Sequence, residues 1–360
     1  MIAAHCFQTA WIQDRRTLLG GGDPVLIEKT IYAFALLAAL ARENLPFVFK
    51  GGTSLLLRLE RLKRLSIDID IMCSLPDREL IPVLERVSSQ APFFHFGEDE
   101  RGPNRLPKRR HFRFHYASVI DPRQQAAFVL LDVVQEEAPH PGIDSVPLRT
   151  LFIELEQDLL VRIPTCAGLL GDKLTAFAPN TVGIPCSESS AMQVMKQLFD
   201  VAELFLIVDD IEGIKRAYDA LFERENGYRG LRYSRKAALQ DSIETARRIC
   251  WLRLRGAPPD SQSTLLDQGR RALESHLFGT RFSEAEMKIA AAKAAFLATM
   301  VLHQSTGEPM GSLRYSADMV SSLRSIELSD GVLQRLRDGV PEAFYYWSLV
   351  EQMQGRDDEA

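Results

Sequence analysis

A chain of 360 residues is long for one hydrophobic core, so about two domains are expected. Its 46% hydrophobic and 25% charged composition excludes a disordered or low-complexity protein, and a formal charge of −5 excludes a general polyanion binder. Any contact with nucleic acid has to come from a local basic face. The five cysteines, Cys6, Cys73, Cys166, Cys186 and Cys250, are odd in number and never spaced CxxC, which argues against a disulfide framework or a structural zinc site.

Met1–Ala10 lacks a basic stretch followed by a long apolar run, so no signal peptide is read. Ile31–Ala41, the most apolar early segment, reads as too short to span a bilayer. A cytoplasmic protein with no membrane partner is the expectation.

In chain order, Val25–Arg42 reads as an apolar helix with Asp23 as N-cap and Pro24 at its first position, stopped by Pro46. Phe47–Phe49 reads as a short buried strand, followed by a Gly51-Gly52 turn. Leu55, Leu56, Leu59 and Leu62 have helical spacing, which predicts a helix over Thr53–Arg64. Ser66–Met72 alternates and predicts a strand, with isoleucines on one face and Ser66, Asp68 and Asp70 on the other.

A charged loop, Gly97–Arg110, leads into His111–Val119, which alternates Phe112, Phe114 and Tyr116 against His111, Arg113 and His115. Ala127–Val134 reads as a buried strand broken by one charge, Asp132. After a loop at Pro139–Asp144 and from about Leu169 the pattern is helical, through Met192–Val208, Ser242–Leu254, Glu284–Leu302 and Val332–Met353, with Pro258–Ser263 as a linker candidate. The fold class expected is α+β: a small mixed sheet flanked by helices in residues 1–165, then an all-helical domain in 166–360.

Two aspartates two apart on a strand project from one face, and carboxylates that close repel unless a cation lies between them. Asp68 and Asp70 therefore predict a hard divalent cation, Mg²⁺ or Mn²⁺, which keeps waters for substrate phosphates to replace. Asp132 is the candidate third ligand for a two-ion phosphoryl-transfer site. Strand–Gly51-Gly52-Thr53–helix is the arrangement that offers backbone N–H groups to a phosphate, with Lys50 adding charge. It is not a P-loop, whose lysine and spacing are absent. A lone DxD or a lone GG is most often a solvated face or a plain turn; their ordered combination is what carries information.

These motifs resemble the DNA polymerase β-like nucleotidyltransferase superfamily and, more narrowly, the AbiEii/AbiGii toxins of type IV toxin–antitoxin systems, relatives of the MenT toxins. The resemblance rests on Lys50-Gly51-Gly52-Thr53-Ser54-Leu55 and Arg64-Leu65-Ser66-Ile67-Asp68-Ile69-Asp70. A second block, Gly171-Asp172-Lys173-Leu174 through Thr181 and then Lys196-Gln197-Leu198-Phe199-Asp200-Val201, is similar to the family's later helices.

The resemblance implies that Gly52 and Thr53 hold the triphosphate and that Ser66 and Asp68 lie at the centre of the site. It implies that Asp68 and Asp70 bind metal, that Lys173 contacts the nucleotide phosphates, that Asp200 completes the site from the helical half, and that Lys196 neutralises nearby charge. Two departures stand out: Lys196-Gln197 replaces an Arg-Asp pair common among relatives, and an insert (Pro179–Ser190) stretches the second block. Spacing alone reads Lys196 and Asp200, four apart, as a structural helical ion pair.

Basic residues gather at Arg101–Arg113 (Arg105, Lys108, Arg109, Arg110, Arg113), with Phe112 and Phe114 interleaved, and at Arg224–Arg255 (Arg229, Arg232, Arg235, Lys236, Arg247, Arg248, Arg253, Arg255), near Tyr228, Tyr233 and Trp251. Either can grip RNA, and either can be a solvated helix face. His111 and His115 read as cleft-lining or as satisfied core histidines, and Trp347, Tyr345 and Tyr346 as helix packing.

The function implied is transfer of a nucleotide monophosphate from an NTP to the 3′ end of tRNA, by a toxin with a cognate antitoxin. A protein or aminoglycoside-like acceptor is the alternative, and a non-catalytic nucleotide- or partner-binding module is a further one.

Overall fold

Residues 2–60, 63–99, 107–121, 127–303 and 309–358 are described by a computed structural model. The chain forms two compact units. The first comprises Met1–Ala138, Ile143–Thr165 and Ser275–Arg281; the second comprises Pro139–Gly142, Cys166–Glu274 and Phe282–Ala360. Residues 275–281 belong with the first unit because Leu65 N–H donates to His276 O and Phe278 N–H to Lys63 O, an antiparallel bridge that joins segments over 200 residues apart.

The first unit is a mixed sheet with helices. After α1 (Thr9–Leu18), α2 runs Pro24–Arg42, and the Asp23 carboxylate caps it by accepting from Val25 N–H. The strands are β1 (Val48–Lys50), β2 (Ile69–Met72), β3 (Phe93–Glu98), β4 (Arg109–Tyr116) and β5 (Ala127–Val134), in the order β1-β2-β5-β4-β3. The β2–β5 pairing is parallel and the others are antiparallel. Between β1 and β2 lies α3 (Gly51–Ser54), between β2 and β3 lies α4 (Asp77–Ser88), and β6 (Ile143–Pro147) pairs with β7 (Leu160–Pro164) in a hairpin.

One sheet face carries Phe49, Ile69, Ile71, Phe112, Phe114, Tyr116, Val129, Leu131 and Val133, all buried in a core shared with α2 and α4. Alternation then sends Asp70, Asp132, His111 and Arg113 to the opposite face.

Two expectations are corrected. The helix read over Thr53–Arg64 is only α3 followed by one 3-10 turn, Leu55–Leu57, and Leu62 lies outside the described residues. Pairing of Arg64 with Leu277 draws the backbone out of helical geometry before the leucine stripe can complete a second turn. The apolar segment near the N-terminus is also longer than Ile31–Ala41. At 19 residues and a mean hydropathy of 1.6, α2 is long and apolar enough to cross a membrane, but 67% of that window is buried inside the first unit. Its buried Glu28 accepts from Ser118 Oγ (2.6 Å) and Val119 N–H (2.7 Å), so the helix also anchors the segment that follows β4.

The second unit is helical: α5 (Cys166–Ala176), α6 (Ala191–Phe205), α7 (Ile211–Tyr228), α8 (Arg235–Trp251), α9 (Ser261–Leu273), α10 (Glu284–Leu302), α11 (Leu336–Gly339) and α12 (Pro341–Asp358). Alanine-rich α10 is buried on most of its circumference and packs against α8, α12 and α6. It starts with a capping box between Ser283 and Glu286. Pro258–Ser263, read as a linker, contains the N-cap Asp260 of α9. Trp347 and Tyr346 are buried, as packing residues.

Candidate active site

Strand register assembles the site in the first unit. Lys50 on β1 lies opposite Asp70 on β2, Asp70 lies opposite Asp132 on β5, and Asp132 lies opposite His111 on β4. Four chemistry-bearing side chains thus form one row across four strands. Adjacent strands are about 4.8 Å apart, so Asp70 and Asp132 are close enough for one cation to serve both. Lys50, Asp70, Asp132 and Arg109, with Val133 and Val134, line a small cavity of about 70 Å³.

The glycine turn is built against this row. Gly51 has φ +78°, and a Cβ there would lie 2.0 Å from Asp70 Oδ2. Only glycine lets the chain turn this close to the carboxylate. A Cβ on Gly52 would meet Arg64 Nη2 at 2.6 Å and Ser66 Oγ at 3.0 Å, so Ser66 is also brought to the turn. Thr53 is fully buried, and its hydroxyl donates to Asp68 O at 2.6 Å. That bond ties the turn to the residue just ahead of β2. Asp68 therefore precedes the strand that was expected to carry it.

His111 is the site residue that sequence reasoning did not assign. Its Nδ1 lies 2.6 Å from Asp132 Oδ1, which fixes one carboxylate oxygen. Alternation placed His111 on the polar face, but only the β4–β5 register reveals its partner. Arg109 was read as part of a basic patch; it is exposed at the cavity and makes no ion pair among the described residues.

In the second unit, Lys173 lies in the last turn of α5 and Asp200 on α6, with Lys173 Nζ 3.2 Å from Asp200 Oδ2 and both side chains nearly fully buried. The two blocks of the later motif meet as one ion pair. Lys196 is half-buried, one helical turn before Asp200.

An oxygen-only donor set of two neighbouring carboxylates suits a hard divalent cation that takes its remaining ligands from phosphates and water. Among the described residues no three His, Cys, Asp or Glu side chains are grouped as a closed metal centre. Asp70 and Asp132 fit an open site of this kind.

The basic patches are largely neutralised. Lys108 and Arg110 pair with Asp77 (3.3 and 2.9 Å), Arg110 also with Glu98, and Arg113 with Asp99 (3.0 Å). Glu98 is held below the usual carboxylate range chiefly by its bond from Arg110. Arg101 and Arg105 lie outside the described residues. Phe112 and Phe114, interleaved with these basic residues, are core. In the second patch Arg229, Arg235, Arg247, Arg248 and Arg253 are all paired with acids, while Arg232, Lys236 and Arg255 are exposed and make no ion pair among the described residues.

The family described as nucleotidyl transferase AbiEii toxin, type IV toxin–antitoxin system, matches residues 35–297. The chain belongs to this family. As an AbiEii protein it is a nucleotidyltransferase toxin, which excludes the purely binding module. The family takes an NTP as substrate, generally uses a divalent metal, and implies an antitoxin partner.

Comparison with curated proteins gives no match. Among solved structures, this AbiEii protein is similar to MenT4, a nucleotidyltransferase toxin from Mycobacterium tuberculosis H37Rv (18% identity, 89% of this chain and 91% of that one, TM-score 0.49). It is also similar to JHP933 (15%, 76% and 89%, TM-score 0.42) and to a nucleotidyltransferase (16%, 76% and 92%, TM-score 0.43), both from Helicobacter pylori.

Proposed function

We propose that this enzyme transfers a nucleotide monophosphate from an NTP to the 3′ end of tRNA, in the cytoplasm, at the Lys50–Asp70–Asp132–His111 row. The observation that carries the reading is the register of Asp70 with Asp132 beneath the Gly51 turn. A divalent cation, Mg²⁺ or Mn²⁺, held by Asp70 and Asp132 with Asp68, would neutralise the triphosphate and the acceptor oxygen during in-line displacement. The chain's own residues do the rest. Gly51 and Gly52 offer backbone close to the phosphates, and Lys50 and Arg109 supply charge to them. Thr53 holds Asp68 in place, and Ser66 lies at the turn beside Gly52.

Lys173, Asp200 and Lys196 are assigned to nucleotide handling on the family motif. The five free cysteines support a reducing compartment. The tRNA acceptor is supported by Arg109, which makes no ion pair among the described residues, and, in the second unit, by Arg232, Lys236 and Arg255.

The test incubates purified protein with a tRNA pool, Mg²⁺ and each α-labelled NTP in turn; incorporation with one of them is expected, and none with any would reject the acceptor. A protein or small-molecule acceptor is the second reading, favoured by the neutralisation of most basic residues. It predicts label on a non-RNA acceptor under the same conditions.

A further inference from the structure

The sheet face that carries Asp132 continues along β3, β4 and β5 into a group of rings that the catalytic row does not use. His95, His115 and Phe128 occupy one cross-strand row. The His95 and His115 rings stack at 5.5 Å and 26°, His115 lies 5.9 Å from Phe128, and Phe94 lies 6.4 Å from His115. The Arg113 guanidinium, shared with Asp99, lies 4.9 Å from the Phe128 ring centroid, and Lys29 Nζ lies 5.7 Å from it.

Phe94 is 57% exposed and His95 is exposed. Among the described residues Phe94 is the exposed phenylalanine of this sheet, while Phe96 and Phe128 are half-buried and the others are in the core. Phe128 and Asp132 are four residues apart on β5 and share a face, so the rings begin about 13 Å from the carboxylate.

We infer that His95, His115, Phe128 and Phe94 form a stacking platform for the unpaired nucleotides at the 3′ end of an RNA acceptor. The inference rests on the nucleotidyl-transfer reading and names what binds beside that site. Transfer needs the acceptor's terminal hydroxyl at the Asp70–Asp132 row, and the strand that delivers it has to leave along a neighbouring surface. Flat rings accept any base through its π-face, and Lys29 beside Phe128 offers a cation to the phosphates. Duplex RNA, whose bases are already stacked, gains nothing from such a surface. The platform therefore selects a single-stranded end.

The experiment measures equilibrium binding, without NTP, of the full-length protein to a fluorescent RNA hairpin with four unpaired 3′ nucleotides and to the same hairpin made blunt. The wild type is expected to prefer the overhang at least tenfold. Phe94→Ala combined with His95→Ala removes that preference, and Phe94→Trp keeps it. Because both side chains are exposed, the thermal midpoint of the double variant stays near wild type. Phe94→Ala is also expected to raise KM for an RNA acceptor while leaving KM for NTP unchanged.

Equal wild-type affinity for both hairpins, or full overhang preference in the double variant, overturns the platform. Should wild type transfer nucleotide to RNA while the double variant keeps its preference and KM, the platform fails and the transfer reading stands. Should wild type bind neither hairpin and label only a non-RNA acceptor, both fail.

Discussion

Replacing Gly51 with alanine puts a methyl group where the fold has room for none. The backbone there is left-handed (φ +78°), which costs an L-residue roughly 1–2 kcal/mol. A Cβ 2.0 Å from Asp70 Oδ2 is far inside contact distance, so the carboxylate has to swing away. Gly20→Ala is the control: φ +73° imposes the same backbone cost, but nothing lies within 4 Å. For a unit of this size about 1 kcal/mol moves a thermal midpoint by roughly 2–4 °C, so both variants should lose about 2–8 °C. They should differ in turnover. Misplacing a catalytic group by about 1 Å costs on the order of 100-fold, so Gly51→Ala loses at least that and Gly20→Ala almost nothing. The assay is pyrophosphate release at 20 °C, with calorimetry to show both variants folded. A folded Gly51→Ala variant with wild-type turnover would refute the claim that the turn is built against Asp70.

Lys173→Met removes the ammonium from the buried Asp200 carboxylate and should cost about 3–5 kcal/mol in thermal unfolding, whereas Lys173→Met with Asp200→Leu should regain most of it. If the double variant also regains nucleotidyl transfer, the pair is structural only. His111→Ala should lower kcat roughly 10–100-fold and weaken Mn²⁺ binding measured by electron paramagnetic resonance, and His111→Asn, which can still donate to Asp132, should recover most of both. Burial raises the Asp267 carboxyl, but bonds from Arg270 and Arg253 outweigh it and hold it below its ordinary 3.8. A depressed folded value means its stabilisation is complete above the unfolded value of about 3.9 and is lost as pH falls through the folded value. Asp267→Asn should therefore lower the thermal midpoint at pH 7, with the gap from wild type closing below about pH 4.

What the sequence disclosed follows the range of the forces involved. The start of α2 was legible because the Asp23 cap and Pro24 act within one turn. β5 was read to the residue because a buried strand with one charge has a sharp compositional edge. Segments shaped by distant partners were not legible. The stretch around Arg64 lost its helix to pairing with residues near Leu277, and β2 begins at Ile69 rather than Ser66. β3 was missed because an edge strand with mostly exposed residues shows little alternation.

The candidate site divides in the same way. Gly51, Asp70 and Asp132 were named from local pattern, but the His111–Asp132 contact depends on register between strands. The sequence placed Lys196 and Asp200 four apart on one helix, and only the packing of α5 on α6 shows that Lys173 also reaches Asp200. Alternation put Phe112 and Phe114 on one face without saying which face is wet, and it is Phe94 that is exposed instead, with Phe128 half-buried.

The most direct test of the row itself is NTP-dependent pyrophosphate release, with acceptor and divalent cation present, by wild type, Asp70→Asn and Asp132→Asn. Asparagine keeps the shape of each side chain and removes its charge. The account predicts a loss of at least 1,000-fold in each variant, about 4 kcal/mol per electrostatic group, with thermal midpoints unchanged or raised as the paired repulsion is relieved. Turnover within tenfold of wild type in both folded variants would contradict it.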